Sequence, residues 1–439
     1  MPPREAVNYF GAGPAPLPTP VLEAASKALL NYEDMGIGIA EMSHRSPQAN
    51  QILADTKAAL ATLLDIPDDY DILFTQSGGS GQFSAVVFHM VSIWVERARQ
   101  SMEKQWANDD TMKNASEHER TQALKSIINT TMKLNYLVTG SWSLKASQEA
   151  ARLIGQEHVS IASDSRTLRD GKFGGIAQES DWHLRHPVST GVLPELRTPA
   201  LTWMCDNETV DGVEFPAFPK TLEANDGDAM VVADMSSNFL SRKVDVRKYA
   251  VIFGGAQKNI GTTGITIIIL RKSLLPPQAQ MASPTLLRQL GLPVGPIVLD
   301  WPTIAKNNSL YNTLPILDVW IAGQVMQRLV NTYGDKKIVG QEEISNQKAG
   351  ALYGALDAYP QIYNVVPDKS VRSRMNICLR IKGGDADAEK KFLAGAEERL
   401  LLGLKGHRSV GGIRISNYNA VSVQGVEKLV KYLNDFASG

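Results

Sequence analysis

Alternation is what most limits the folds open to this chain. Short apolar runs, each closed by a turn bearing glycine, serine or aspartate, alternate with longer stretches of helical periodicity. Asp71–Thr75, Asn135–Val138, Ala229–Ala233 and Val251–Phe253 read as strands, and Leu201–Cys205 is a further apolar run that ends at a turn. Helical patterns cover Val21–Asn31, Ala49–Leu64, Gln82 to about Arg99, and the stretch from Gly140-Ser-Trp-Ser to Leu153. Parallel strands need a long crossover, usually a helix, so the pattern predicts an α/β protein with a largely parallel sheet. From about Gln341 the order changes to helix, strand (Met375–Ile381), helix (Ala386–Leu402), strand (Gly412–Ser416) and helix (Val423–Phe436), which predicts a smaller α+β domain.

The 439 residues suffice for more than one domain. A net charge of -1 leaves no basic footprint for nucleic acid or an anionic membrane, so neither is an expected partner. The apolar run Ile265–Leu270 is far too short to span a bilayer. The start, Met-Pro-Pro-Arg-Glu-Ala-Val, has no apolar core of a secretory signal. The two cysteines, Cys205 and Cys378, sit in apolar runs and read as buried thiols. They make no metal site alone, and no metal is expected. A cytoplasmic setting follows as the expectation. Gln100–Lys133 breaks the alternation with charged and amide side chains. It reads as a solvated surface insertion, with room for one amphipathic helix over Thr121–Ile128.

Candidate chemistry gathers at the turns. Lys258, in Gly254-Gly-Ala-Gln-Lys258-Asn-Ile-Gly261, follows an apolar strand among small residues. A lysine partly withdrawn from water is a usable amine nucleophile, although a loop lysine is the plain alternative. Asp234 ends an apolar strand, where carboxyl ends face the ligand crevice of open α/β sheets. It can serve a ligand or cap a helix. Ser77-Gly-Gly-Ser-Gly-Gln82 lies between strand and helix, a place for an anion or a simple turn. Trp142 suits stacking or a core, and Thr209 a ligand contact or a turn. His44-Arg45 and the segment Gly403–Arg414, with His407, Arg408 and Arg414, concentrate cations beside glycine or proline turns.

Together these stretches resemble the phosphoserine aminotransferase family, class-V enzymes of fold type I that depend on pyridoxal 5′-phosphate. The resemblance rests on Asn8-Tyr-Phe-Gly-Ala-Gly-Pro14, Glu41-Met-Ser-His-Arg-Ser46, Gly78-Gly-Ser-Gly-Gln-Phe83, Gly140-Ser-Trp142, Asn207-Glu-Thr209, Ala233-Asp-Met-Ser-Ser237, Gly255–Gly261, Tyr311-Asn-Thr313 and Gly403–Arg414, in that order. It implies a seven-stranded, mostly parallel sheet in a large domain over 20–338, interrupted at about 100–133. The small domain would join 1–19 to 339–439. It implies Lys258 as the Schiff-base lysine and Asp234 as the partner of the pyridine nitrogen. Trp142 would stack on the ring, Thr209 would bond its edge, and Gly79, Ser80 and Gln257 would hold the cofactor phosphate. Some relatives carry Arg at position 80, so Ser80 would act mostly through its backbone. Asn312 and Thr313 would reach the partner subunit's cofactor, which implies a homodimer with shared sites. His44, Arg45, His407 and Arg408 would surround a substrate phosphate, and Arg414 would take the α-carboxylate. The implied reaction exchanges an amino group between glutamate and 3-phosphohydroxypyruvate, giving phosphoserine and 2-oxoglutarate. Other fold-type I enzymes, such as a desulfurase or lyase, and a non-catalytic relative are the alternatives.

Overall fold

Continuous apolar strands can be buried only if helices cover both faces of their sheet, and this chain solves the problem with three layers. The structure, a computed structural model, describes residues 2–109, 112–186, 196, 198–223 and 230–439. The central sheet holds Tyr70–Thr75 (β1), Leu134–Val138 (β2), Val159–Asp164 (β3), Leu201–Cys205 (β4), Val231–Asp234 (β5), Val251–Gly255 (β6) and Thr266–Arg271 (β7). Its spatial order is β1-β7-β6-β5-β4-β2-β3, and only β7 runs antiparallel to its neighbours. Ala229, where the β5 strand was expected to begin, lies outside the described residues.

The helices of this part are Thr19–Ala28 (α1), Pro47–Leu64 (α2), Gly78–Ala107 (α3), Glu117–Thr131 (α4), Ser141–Ile154 (α5), Pro284–Leu290 (α6), Trp301–Lys306 (α7) and Ile316–Tyr333 (α8). Alternate strand residues feed opposite layers. Leu73, Tyr136, Trp203 and Phe253 pack with α3, α4 and α5, while Ile72, Leu137, Met204 and Ile252 pack with α2 and α8.

A second core lies C-terminal to the sheet. Ile338–Asp357 (α9), Ala386–Glu398 (α10) and Val423–Ser438 (α11) accompany an antiparallel sheet of Tyr363–Val365 (β8), Asn376–Ile381 (β9) and Ile413–Ser416 (β10). Phe10 is fully buried in this core, and Asn8–Tyr9 pairs in parallel with Leu401–Leu402. The chain's early residues therefore complete a core built near its end.

Two expectations need correction. The helix expected over Ala386–Leu402 stops at Glu398, because Leu400 takes a left-handed φ of 60° and Leu401–Leu402 turns into the pairing with Asn8–Tyr9. The stretch 100–133 is also no solvated excursion. Helix α3 runs on to Ala107, and α4 starts at a capping box of Ser116 and Glu119. Met102, Leu124, Ile128 and Met132 are each at most 2% exposed and belong to the main core. Leu124, Ile128 and Met132 lie four residues apart, one narrow stripe that the polar average of the segment hides.

Candidate active site

Strands β5 and β6 lie side by side and parallel, so their carboxyl ends open on the same crevice. Asp234 is the last residue of β5, and Lys258 follows β6 by three positions. Ser236 links the two ends. Its backbone N–H and hydroxyl donate to Asp234 Oδ1 at 2.9 and 2.6 Å, and its oxygen accepts from Gly255 N at 3.1 Å. Asp234 is 6% exposed. Burial pushes its carboxyl up, while the Ser236 hydrogen bonds and the Lys258 charge pull it down. Lys258 Nζ donates to the carbonyl of Ala12 and lies 5.8 Å from the centre of the Tyr418 ring. The Tyr418 hydroxyl donates to that same carbonyl at 3.0 Å.

Two helix N-termini face this crevice, and they differ. At α5, carboxylates from the hairpin Asn207–Glu214 take the free N–H groups: Glu208 accepts from Trp142 N (2.8 Å), Ser143 N (3.0 Å) and Ser143 Oγ (2.5 Å), and Asp211 from Ser141 N (2.6 Å). A side chain at Gly140 would come within 2.4 Å of Glu208. Burial and the neighbouring Asp211 push the Glu208 carboxyl up to about 8. At α3, by contrast, Ser77 makes no side-chain cap, its hydroxyl being bonded to Gln82 Nε2 at 2.7 Å. Among the described residues no side chain caps this end, an arrangement that suits an anion. A Cβ built on Gly79 would lie 4.0 Å from Asp234 Oδ2, so the α3 terminus and the buried carboxylate share one space. Ser80 is exposed and Gln257 half-buried.

Trp142, half-buried, is fixed through its backbone by Glu208, and its ring carries Lys145 Nζ at 4.4 Å. Thr209 is buried, and its carbonyl accepts from Arg414 Nη1 at 3.4 Å. Arg414, His407, Asp211 and Arg380 line a cavity of about 630 Å³ beside the start of α5. Burial and the nearby cations Arg414, Lys145 and Arg408 hold the His407 imidazole below its ordinary value. Arg408 is exposed.

The other cation pair sits elsewhere on the chain. Arg45 is exposed and donates to Leu310 O at 3.4 Å, and His44 Nε2 is buried without a hydrogen-bond partner. Among the described residues no hydrogen bond or ion pair joins it to His407-Arg408. Asn312 donates to Gln76 Oε1 at 2.7 Å, and Thr313 is exposed beside it.

Sequence reasoning did not single out Glu208, Asp211, Ser236 or Tyr418. Each follows a strand end by a few positions, the one signal that could have found them. Behind the site, Arg242 holds both oxygens of Asp206 at 2.6 Å, and Arg374 holds Glu214 at 2.8 Å. Arg374 precedes β9, so this buried ion network ties the second core to the hairpin that carries Glu208 and Thr209.

The class-V aminotransferase family model matches residues 7–101 and 195–429. The chain belongs to the class-V aminotransferases. Between the family model's two matched stretches lie α4, α5 and Trp142, so the site described above extends beyond what the family model covers. The phosphoserine aminotransferase of Saccharomyces cerevisiae is 40% identical over 99% of this chain and 98% of its own length. That of Burkholderia vietnamiensis is 37% identical over 98% of both. The solved phosphoserine aminotransferase of Bacillus circulans subsp. alkalophilus superposes with a TM-score of 0.74, at 30% identity and 98% coverage of each chain. As class-V neighbours of this kind share fold type I, the three-layer sheet belongs to that fold.

Proposed function

We propose that this chain is a phosphoserine aminotransferase, exchanging an amino group reversibly between glutamate and 3-phosphohydroxypyruvate to give O-phospho-L-serine and 2-oxoglutarate. The observation that carries the reading is the buried Asp234 carboxylate and the Lys258 amine at adjacent strand ends, beside an α3 terminus without a side-chain cap. These residues fit pyridoxal 5′-phosphate. A carboxylate pushed up by burial regains its ionised form opposite a cation, the α3 terminus suits a phosphate, and half-buried Trp142 suits a flat ring.

Pyridoxal 5′-phosphate, when bound, supplies the electron sink for amino transfer. Lys258 Nζ would anchor the cofactor and would take and return the substrate Cα proton. Asp234 would balance a positive charge on the pyridine nitrogen. Trp142 and Thr209 would orient the ring, and Gly79, Ser80 and Gln257 would hold the phosphate. Arg414 binds the α-carboxylate of either substrate. His407 and Arg408 bind the distal anion, with His44 and Arg45 completing the site from a second subunit. Arg45 is tied to Leu310, so a segment that brings Asn312 and Thr313 to a partner's site carries His44-Arg45 with it. The working unit is thus a homodimer with shared sites, each subunit divided into 20–338 and 1–19 with 339–439, in the cytoplasm. Among the described residues no helix is long and apolar enough to cross a membrane.

A desulfurase needs an accessible thiolate. Cys205 and Cys378 are buried, and burial pushes both thiols up, which argues against that chemistry. The deciding experiment is turnover of glutamate with 3-phosphohydroxypyruvate against unphosphorylated hydroxypyruvate. A site built around the missing group should favour the phosphorylated acid by about 10⁴ in kcat/KM. Comparable rates with both acids would overturn the reading.

A further inference from the structure

The hairpin that carries His407 and Arg408 has little core of its own. His407, Arg408, Ser409 and Val410 are half-buried or exposed, and the turn is closed mainly by backbone: Gly406 N to Gly412 O at 2.8 Å and Gly411 N to His407 O at 2.7 Å. One side chain from outside reaches under it. Arg380, on β9, donates through Nη2 to the carbonyl of Val410. Its guanidinium lies so close to the turn that a Cβ at Gly411 or Gly412 would come within 3.1 or 2.7 Å of Nη1. Both glycines have left-handed φ, 68° and 73°. The sheet register explains the direction of this arm. Cys378 pairs with Arg414, and Arg380 is two residues beyond Cys378 on the same strand, so Arg380 and Arg414 leave one face of the sheet. Both line the 630 Å³ cavity together with His407.

We propose that Arg380 is the positioning residue of the His407–Gly411 hairpin, holding it in the shape that recognises the distal anion of the substrate. Selectivity for a phosphorylated keto acid then depends on Arg380 through binding. The proposal rests on the phosphoserine aminotransferase reading of the same cavity. A guanidinium can do this because its planar fork serves a carbonyl with one nitrogen while the other lies against the glycines. A lysine would keep the charge without the fork.

The test uses the holoenzyme and two readouts, for Arg380→Met and Arg380→Lys. Kinetics with 3-phosphohydroxypyruvate should show KM raised about tenfold in both variants with kcat within about twofold, and a smaller change in KM for glutamate. Limited trypsin digestion, followed by mass spectrometry of the fragment ending at Arg408, should show cleavage about tenfold faster in both, because the hairpin opens more often. Far-UV circular dichroism checks folding, and Arg380→Gln replaces the methionine variant if that one fails to fold. Rescue of both readouts by lysine would assign the effect to charge alone and overturn the proposal. A raised KM with unchanged proteolysis would make Arg380 a direct anion ligand and overturn it as well, as would wild-type behaviour in both. If the wild-type enzyme does not use the phosphorylated acid at all, the functional reading fails, while the digestion still judges the hairpin.

Discussion

At the level of single residues, the proposed site rests on one amine and one carboxylate whose surroundings differ. Lys258→Ala should abolish turnover and leave a folded protein, because among the described residues its Nζ meets a carbonyl and a ring face and no carboxylate partner. Steady-state assay of the purified variant checks this, and substantial turnover would reject the role. Glu208 makes a different prediction. Its carboxyl is raised in the folded protein to about 8 from an ordinary 4.5, so its proton favours folding below the unfolded value. That contribution is lost as pH rises from 4.5 through about 8. The free energy of unfolding should therefore fall between about pH 5 and 8, by at most about 1.4 kcal/mol per pH unit from this group. Glu208→Gln should flatten the slope; an unchanged slope would show that the proton sits elsewhere. Lys258 and Asp234 were legible in the sequence because strand ends are legible, and chemistry gathers there. Glu208 and Asp211 were not. Their importance lies in which helix they cap, and no local pattern shows that a hairpin at 207–214 meets the start of a helix at 141.

Among the elements, the segment joining β1 to β2 departs furthest from its composition. Polar residues dominate 100–133, yet α3 and α4 place Met102, Leu124, Ile128 and Met132 in the main core. Leu124→Ala should cost about 2–5 kcal/mol, as for a fully buried leucine. Denaturant unfolding measures it, and a loss within about 0.5 kcal/mol would restore the surface reading. Replacing the whole segment with a short linker should destabilise the protein rather than leave it intact. The strands were easier to read, since burial on both faces writes a continuous apolar run. The antiparallel direction of β7 could not be read, because Ile265–Leu270 carries no mark of which way it pairs.

For the whole molecule, the shared sites proposed above predict complementation. Lys258→Ala and Arg45→Ala subunits, each inactive or nearly so alone, should regain turnover when co-expressed, because the mixed dimer keeps one site free of both changes. Separation of the mixed dimer by differential tags, followed by assay, checks this; no recovery would place both residues in one subunit's site. The small core adds a consequence of another kind. Ala12 and Tyr418, whose carbonyl and hydroxyl meet beside Lys258, are 406 positions apart. Phe10 waits likewise for Leu429 and its neighbours. During synthesis Phe10 and Ala12 leave the ribosome well before Tyr418 and Leu429 are made. A nascent chain that already carries Lys258, Asp234 and the finished central sheet still lacks the floor beneath its amine. Lys258 thus gains its frame only after Tyr418 has been made, and chains released before that carry the amine without the groups that aim it.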